Sequence, residues 1–484
     1  MIVGSDAGVS MSRDGGETWF RPPLPLSQLY HIKTDTQTPY RVMGTLQDNG
    51  TLSGPSNSLQ GGVIHLSDWH NVGGGEAGHI AADPSDPNIV WAGEYLGFIS
   101  RYDNRTGQAP HVGIYPENGS GHGVGDLRVR FQWTSPILVS PHDPKTVYHA
   151  GNIIFRTRDG GQTWDAISPD LSRNDKSKQE WAGGPITGDN TGVEFYSTIF
   201  AIAESPLEKG VIWAGSDDGL VHVTRKDGQD WQEVTPPGLP EWGTVANIEA
   251  SRWDAGTAYV VVDAHRLDDE TPYLWKTTDY GASWKSLTSG LDDEIYLHVI
   301  REDTEIDGML YLGTERDVKY SMDGGTSWKS LKLNMPTVAV HDLKVQSDDL
   351  VVGTKGRSIW ILDDLTAVRQ MSEEIADAPA HLFAPRPAIR WRMNWSPAGS
   401  SAGAGTNPPE GAMITYHLAA KAEKEIKVEI VDSQGEVIRT MSSVAEPRPQ
   451  DDSHPDVREG SKNEPELTAK AGLNRASWDI RLDG

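Results

Sequence analysis

Short apolar runs separated by polar turns recur along most of the chain. Residues 297–328 show the unit most clearly: a strand-like run, a turn with acidic residues, a second apolar run ending in Leu-Gly, a third run and the octet SMDGGTSW. Residues 135–164 and 199–231 repeat it, residues 79–103 lack the octet, and residues 246–284 have an enlarged middle turn. Apolar runs of this length bounded by turn residues are typical of strands, and no long stretch has a helical period. The pattern predicts an all-β fold built from repeated antiparallel sheets.

Most residues of the octet can be explained by the turn that the backbone makes there. Its Asp can accept hydrogen bonds within its own turn, its glycines permit positive φ, and its Trp opens the next strand with a large apolar anchor. Copies begin at Ser12, Thr157, Thr277 and Ser321, and a decayed copy begins at Thr224. From Trp164 onward the octet tryptophans lie 44 to 67 residues apart, close to the length of one four-stranded propeller blade. We therefore predict a β-propeller.

Seven blades are predicted because each unit is too small to bury both of its faces alone and must stack on a neighbour. Their approximate bounds are 27–73, 75–117, 131–172, 197–237, 243–291, 294–336 and 338–364. The predicted domains are 1–25, the tail of a preceding blade; 26–365, the propeller; 366–405, a linker with a short helix; and 406–484, a truncated β-sandwich. In the sandwich, Ile426, Val428 and Ile430 alternate as in a half-buried strand, and 432–435 is a hairpin turn.

Composition and charge exclude several classes of function. A formal charge of -26 with no local cluster of Lys and Arg disfavours nucleic acid as a partner. Cysteine is absent, so no disulfide or thiolate metal site is expected. The histidines 65, 70, 79, 111 and 122 lack metal-ligand spacing, and neither a metal nor a cofactor is expected. No apolar run reaches the roughly 20 residues of a membrane-spanning helix.

The chain opens directly on a strand and an octet and ends within a sandwich strand. We interpret it as a fragment of a longer protein, whose signal peptide would lie in a missing N-terminal part. The expected location is secreted or periplasmic.

The octets resemble the Asp-box, or BNR repeat, of sialidases, sortilin-type receptors, photosystem assembly factors and the xyloglucan-cleaving glycosidases built from two propellers. The run Leu46–Gly50, the segment Val352–Leu362 and the trailing strands are similar to large bacterial Asp-box proteins labelled sortilin-like or glycosyl hydrolases. The closing segment resembles an immunoglobulin-like module. The resemblance implies the propeller fold, whereas these families differ in activity. No motif match carries the glycosidases' catalytic positions onto this chain, and their acids lie in a cleft between two propellers.

In a propeller of this kind the octets join third and fourth strands, so their Ser/Thr, Asp and Trp residues are predicted to be structural. The functional face should collect the turns after each second strand and the loops entering each first strand. Long ordered loops on a rigid scaffold tend to be functional. Positions predicted to bind substrate on this face are Gln47, Tyr95, Trp133, Trp181, Tyr196, Trp242, His265 and Arg357.

Carboxylates beside aromatic rings suit a sugar, because a ring face stacks on Trp or Tyr while an acid and a base flank the glycosidic bond. The candidate catalytic residues are Asp48, Glu76, Asp189 and Glu194. Each also has a structural interpretation: Asp48-Asn49-Gly50 is a turn signal, Glu76 follows three glycines and can cap a strand, and 69 acidic residues place some on any face. No spacing fixes an acid–base pair, so inverting and retaining chemistry both stay open.

Two functional hypotheses result. The first is an extracytoplasmic propeller that acts on or binds a polysaccharide or oligosaccharide, as a glycoside hydrolase with paired carboxylates. The alternative is a non-enzymatic, sortilin-like propeller that captures a peptide or protein partner. The missing first propeller of the same protein is a further candidate partner, and a purely structural role in a secreted assembly is the third reading.

Overall fold

The computed structural model describes residues 1–5, 8–22, 24, 26–60, 62–115, 119, 121, 123–188, 195–392, 403–445 and 466–481. The first element is a hairpin of β1 (Ile2–Ser5) and β2 (Gly8–Met11). It is followed by the first octet, after which Phe20 pairs with Met11 as a one-residue continuation of the sheet.

Seven antiparallel sheets of three or four strands then follow one another in the described part of residues 29–362. The first three sheets are β3 (Leu29–Thr34), β4 (Arg41–Leu46) and β5 (Gly50–Pro55); β7 (Ile80–Ala82), β8 (Ile89–Gly93) and β9 (Ile99–Asp103); and β10 (Ile137–Val139), β11 (Val147–Ala150), β12 (Ile154–Thr157) and β13 (Asp165–Ala166). A short strand β6 (Val63–Ile64) lies between the first two sheets in sequence.

The remaining four sheets have the same strand order. They are β14 (Ile199–Glu204), β15 (Ile212–Ser216), β16 (Val221–Thr224) and β17 (Gln232–Glu233); β18 (Thr244–Ala250), β19 (Ala258–Asp263), β20 (Tyr273–Thr277) and β21 (Lys285–Ser286); β22 (Leu297–Glu302), β23 (Leu310–Thr314), β24 (Val318–Ser321) and β25 (Lys329–Ser330); and β26 (Val340–Gln346), β27 (Asp349–Thr354) and β28 (Ile359–Leu362).

The sheets form a closed ring through their first strands. Each first strand packs on the next, and β26 packs back on β3. At this closure the Ile32 backbone N–H donates to Asp342 at 3.0 Å, and the Tyr40 hydroxyl donates to Asp349 at 3.0 Å. A ring of radially arranged antiparallel sheets is a β-propeller, so the predicted fold is confirmed.

The second strand of each sheet is buried along its length, because neighbouring sheets cover both of its faces. This explains why segments such as β15 and β23 read as continuous apolar runs rather than as alternating ones. The glycine near the end of these strands has a packing reason: a Cβ at Gly215 would lie 2.3 Å from Val245, and one at Gly313 would lie 2.7 Å from the Val340 carbonyl oxygen. The first strand of the next sheet fits only against a residue without a side chain.

The octets join third and fourth strands, as predicted, and fasten each sheet to the preceding one. Asp323 accepts hydrogen bonds from the Ser321 hydroxyl at 2.7 Å and the Ser327 backbone N–H at 2.9 Å. The Trp328 indole N–H donates to the Leu287 carbonyl of the preceding unit at 2.9 Å. The indoles of Trp164, Trp231 and Trp284 make the equivalent bond. The octets therefore stabilise the contacts between successive sheets and lie away from the loop face.

The residues after the ring form two small sheets and their connections. The elements are α1 (Thr366–Gln370), α2 (Glu373–Asp377), β29 (Ala380–Leu382), β30 (Gly405–Thr406), β31 (Ala412–Leu418), β32 (Lys427–Val431), β33 (Val437–Ser442) and β34 (Gly472–Trp478). β30 pairs with β6 of the ring region. The sheet β29-β31-β34 and the hairpin β32-β33 share one apolar core. The immunoglobulin-like character of this region and the predicted domain bounds stay predictions.

Candidate functional site

A pocket of about 580 Å³ lies at the centre of the ring. Its walls come from the first strands, from the turns after the second strands and from the loops that enter the sheets. The lining residues are Gln28, Tyr30, His31, Gln47, Gln132, Trp133, Thr134, Phe195, Tyr196, Phe200, Asp217, Thr244, Ala246, Asp263, His265, Arg266, His298, His341 and Lys355. We call this cavity the central pocket.

Irregular pairing in the first strands directs side chains into the central pocket. The register between first and second strands shifts near the start of five first strands: β3, β14, β18, β22 and β26. The residues at these shifts are Tyr30 with His31, Phe200, Ala246, His298 and His341, all of which line the pocket. A β-bulge re-aims a side chain in this way. Aligning the repeats would have found these positions, which the sequence analysis did not single out.

Two of the predicted catalytic residues lie together at one side of the pocket mouth. A Glu76 carboxylate oxygen accepts from the Asp48 backbone N–H at 2.9 Å and from the Gln47 side-chain amide at 3.3 Å. Burial raises the pKa of Glu76, and the neighbouring charges of Asp48 and Glu94 raise it further. Asp48 is exposed at a positive φ of 60°, as its turn sequence suggests.

The side chain of Glu94 can lie close to Glu76 because the three residues before Glu76 are glycines and leave room for it. A Cβ at Gly75 would lie 2.3 Å from the Glu94 carboxyl carbon, and one at Gly74 would lie 2.6 Å from the Gly93 carbonyl oxygen. The glycine run is therefore pressed against the end of β8. Burial raises the pKa of Glu94. Glu94 is absent from the predicted catalytic set, although the glycine run signals a close approach of this kind.

Aromatic rings adjoin the carboxyl groups. The Tyr95 and Trp133 rings stack with centroids 5.5 Å apart at 16°, and Tyr30 meets Trp133 edge-on at 6.5 Å. The Tyr30 hydroxyl donates to the Gln47 side chain, which links this platform to Glu76. We call the set Asp48, Glu76, Glu94, Tyr95 and Trp133 the acidic–aromatic cluster.

A second group, the imidazole cluster, lies on another side of the pocket and comprises Asp263, His265, His298 and Glu315. His265 Nδ1 lies 2.6 Å from Asp263, and His298 Nε2 lies 3.2 Å from Glu315. Burial opposes ionisation of both carboxyl groups, but the hydrogen bonds from the imidazoles outweigh it and lower the pKa of Asp263 and of Glu315. These two carboxylates are therefore stabilised as anions.

Asp217 is a third kind of acid on the pocket wall. It is 3% exposed. Burial raises its pKa to about 7, although it accepts bonds from the Thr198 N–H at 2.9 Å, the Thr198 hydroxyl at 2.7 Å and the Gln132 amide at 3.1 Å. Burial thus favours the protonated form of Asp217 to a higher pH than in an ordinary aspartate.

The other predicted residues are scattered over the same face. Tyr196 lines the pocket and meets Trp242 edge-on at 5.8 Å. Trp181 is 60% exposed, and Arg357 is exposed beside the last sheet. Asp189 and Glu194 lie outside the described residues.

The described residues hold no group of three or more His, Cys, Asp or Glu arranged to bind a metal ion. Of the predicted non-ligand histidines, His79 stacks on His31 with centroids 3.6 Å apart, and His111 contacts Phe98 edge-on at 4.9 Å. Among the described helices none is long and apolar enough to cross a membrane.

The ring and its central pocket define a β-propeller whose loop face carries carboxylates and aromatic rings. No protein-family model matches the chain. A 249-residue stretch, 50% of this chain, is 24% identical to the oligoxyloglucan-reducing end-specific xyloglucanase of Emericella nidulans, and the match covers 28% of that protein. The chain thus spans under a third of the length of this curated relative.

Solved structures with a similar fold include propellers of different kinds. The GH74 xyloglucanase from Xanthomonas campestris is 16% identical with a TM-score of 0.49, over 69% of this chain and 51% of that one. YCF48 from Cyanidioschyzon merolae is 12% identical with a TM-score of 0.46, over 71% of this chain and 97% of that one.

Proposed function

We propose that this protein is an extracytoplasmic propeller that acts on a glycan as a glycoside hydrolase, with its reaction centre at the acidic–aromatic cluster. The observation that carries the proposal is the placement of Glu76, whose pKa is raised, beside the exposed Asp48 and close to the Tyr95–Trp133 stack. Aromatic faces bind sugar rings, and glycoside hydrolysis requires one protonated and one ionised carboxyl group. The distant relationship to a xyloglucanase also supports a polysaccharide substrate.

In this proposal Glu76 is the general acid. A carboxyl group whose pKa is raised by burial keeps its proton at a higher pH and can protonate the leaving glycosidic oxygen. Asp48 is the partner that activates water or attacks the anomeric carbon, because its side chain is exposed next to Glu76, to which its backbone N–H donates. Glu94 acts as a neighbouring acid that holds the pKa of Glu76 up.

The second candidate function is capture of a peptide without catalysis. Gln28, Gln47 and Gln132 line the central pocket, and a carboxamide both donates and accepts, as pairing with a peptide backbone requires.

The test is turnover of a panel of plant and bacterial polysaccharides by the full chain, comparing the wild type with Glu76→Gln and Asp48→Asn. We expect reducing ends to appear with the wild type and to fall steeply with both variants. Binding of a random peptide library, with no release of sugar and no sugar affinity, would instead establish the second candidate.

A further inference from the structure

Two cations in the central pocket stand apart from the rest of this acidic chain. Arg266 and Lys355 line the pocket, and neither makes an ion pair or a side-chain hydrogen bond within the described residues. Both side chains are exposed, whereas other cations, such as Arg301 at 2.7 Å from Asp342 and Arg369 at 3.0 Å from Asp303, are held in ion pairs. In a chain of net charge -26, two cations free to meet a ligand in one pocket call for an anionic partner.

Arg266 faces the middle of the pocket mouth. It lies in the short 3-10 helix His265–Leu267, within the enlarged turn of the fifth sheet. Its charge lowers the pKa of Tyr30 and of Tyr196, although burial outweighs it and leaves both raised. These tyrosines belong to the first and fourth sheets, so the guanidinium acts across the mouth rather than along its own sheet.

Lys355 stands on the wall formed by the last sheet. It pairs through its backbone with Gln28, another pocket residue. Its charge contributes to lowering the pKa of Glu315 and of His341, behind burial as the largest influence on each group. The carboxylate of Glu315 is itself engaged by His298 at 3.2 Å, so Lys355 keeps its hydrogen bonds available.

The acids of the pocket would repel an anion only weakly. Asp263 is engaged by the imidazole of His265 at 2.6 Å, and His298 lies 3.9 Å from it. Burial raises the pKa of Asp217 to about 7, which favours its neutral form relative to an ordinary aspartate. Arg266 and Lys355 are thus the charged pocket residues without a partner among the described residues.

Two further polar atoms on the pocket wall, Thr134 Oγ1 and His341 Nε2, are buried and lack a hydrogen-bond partner among the described residues. Buried polar atoms are normally paired, so these atoms favour a ligand with several oxygens.

We propose that the central pocket binds the carboxylate of an acidic sugar unit, held by Arg266 and Lys355, and that the glycan is therefore a uronic acid-containing polysaccharide. This inference rests on the proposed function. Tyr30, Gln47 and Trp133 are shared between the pocket and the acidic–aromatic cluster or its contacts, so a sugar chain on the cluster would continue into the pocket. Guanidinium and carboxylate pair through two parallel hydrogen bonds, a fit that a neutral sugar cannot give.

The experiment measures calorimetric binding of tetragalacturonate and of its methyl ester, which has the same rings without the charges, together with neutral cellotetraose. The full chain is compared with Arg266→Gln, Lys355→Gln and the control Lys329→Gln, which removes an exposed cation from the outermost strand β25. We expect the acid to bind at least about tenfold more tightly than the ester, and each pocket variant to weaken only the acid, by about tenfold. The control variant should bind as the wild type does.

The outcomes separate the two proposals. Equal binding of acid, ester and cellotetraose, unaffected by the pocket variants, overturns the acidic-sugar inference and leaves a glycan-acting protein. Binding of cellotetraose alone has the same meaning. Absence of binding to all three overturns the inference, and the polysaccharide turnover panel then decides the proposed function separately.

Discussion

Glu94 and Glu315 occupy the same position in two sheets and have opposite properties. Each is the first residue after a second strand, at the mouth of the central pocket. Glu94 packs against Gly75, and burial raises its pKa. Glu315 is also partly buried, but His298 donates to it at 3.2 Å and its pKa is lowered. The repeat fixes the position of the carboxyl group, and its contacts within the same unit decide whether its pKa is raised or lowered.

The largest effect is expected from Glu76→Gln, at the neighbour of Glu94 whose pKa is also raised. An amide cannot donate the proton that the leaving group needs, so turnover should fall by about 10²-fold or more. Steady-state hydrolysis of the best substrate measures it, and Glu315→Gln is the control, with a loss of less than about fivefold. In the wild type, activity should fall as the pH rises through the raised pKa of Glu76, because the general acid then loses its proton. Equal losses in both variants would contradict the assignment.

Gly75→Ala should break the packing that holds Glu94. The added methyl group would lie 2.3 Å from the Glu94 carboxyl carbon, so that side chain has to swing towards solvent. The pKa of Glu94 should then fall towards its ordinary value, Glu76 should lose a neighbouring charge, and turnover should drop by about tenfold. A pH–rate profile detects the shift to lower pH. The control is Gly4→Ala, where a Cβ meets nothing within 4 Å; an unshifted profile for Gly75→Ala would refute the role of the glycine run.

Tyr95→Leu tests whether the Tyr95–Trp133 stack contributes to sugar binding at the acidic–aromatic cluster. Losing the stack on Trp133 should raise KM by about fivefold with little change in kcat, since a stacked aromatic pair is worth about 1 kcal/mol. Tyr296→Leu is the matched change on the imidazole side, where the ring stacks on His265 at 4.6 Å. If both variants raise KM alike, the sugar does not favour the acidic–aromatic cluster.

The smallest effect is expected from His298→Ala. This change removes the hydrogen bond that lowers the pKa of Glu315, so Glu315 should come to resemble Glu94. The pKa of Asp263 and of Glu315 should rise, as seen by carboxyl-carbon NMR titration. Because these pKa values are lowered in the folded state, their contribution to stability is present above pH about 4 and is lost as the pH falls through them. Urea unfolding should show a loss of about 1 kcal/mol at pH 7 that shrinks below pH 4. The equivalent position in the first strand of the fifth sheet is Ala246, which indicates that alanine is tolerated there. His341→Ala is the control.

The fold could be read from the sequence because its determinants are local. The octets carry their own hydrogen bonds, as Asp323 shows, and continuous apolar runs such as 310–314 mark strands covered on both faces. The same repeat predicts that Gln47, Tyr95 and His265 share one face. These features require only the order of residues within one sheet.

The chemistry of the site depends on side-chain contacts within each unit that the repeat pattern does not specify. Nothing in the sequence near Glu94 says that Gly75 lies against it, and nothing near Glu315 identifies His298 as its partner. The bulges that turn His31 and His341 inward arise from a mismatch between two strands. Acidic candidates could therefore be predicted for the loop face, but their ionisation could not be predicted.

The indole bonds of the octets also set a direction for folding. From Trp164 to Trp328, each octet reaches back to a carbonyl of the unit made before it, across 41 to 64 residues. Closure between β3 and β26 joins residues about 310 apart, as in the bond from Ile32 to Asp342. Contacts distant in sequence form slowly. We expect a chain emerging from the ribosome to add sheets one at a time and to wait for its last blade before the pocket exists.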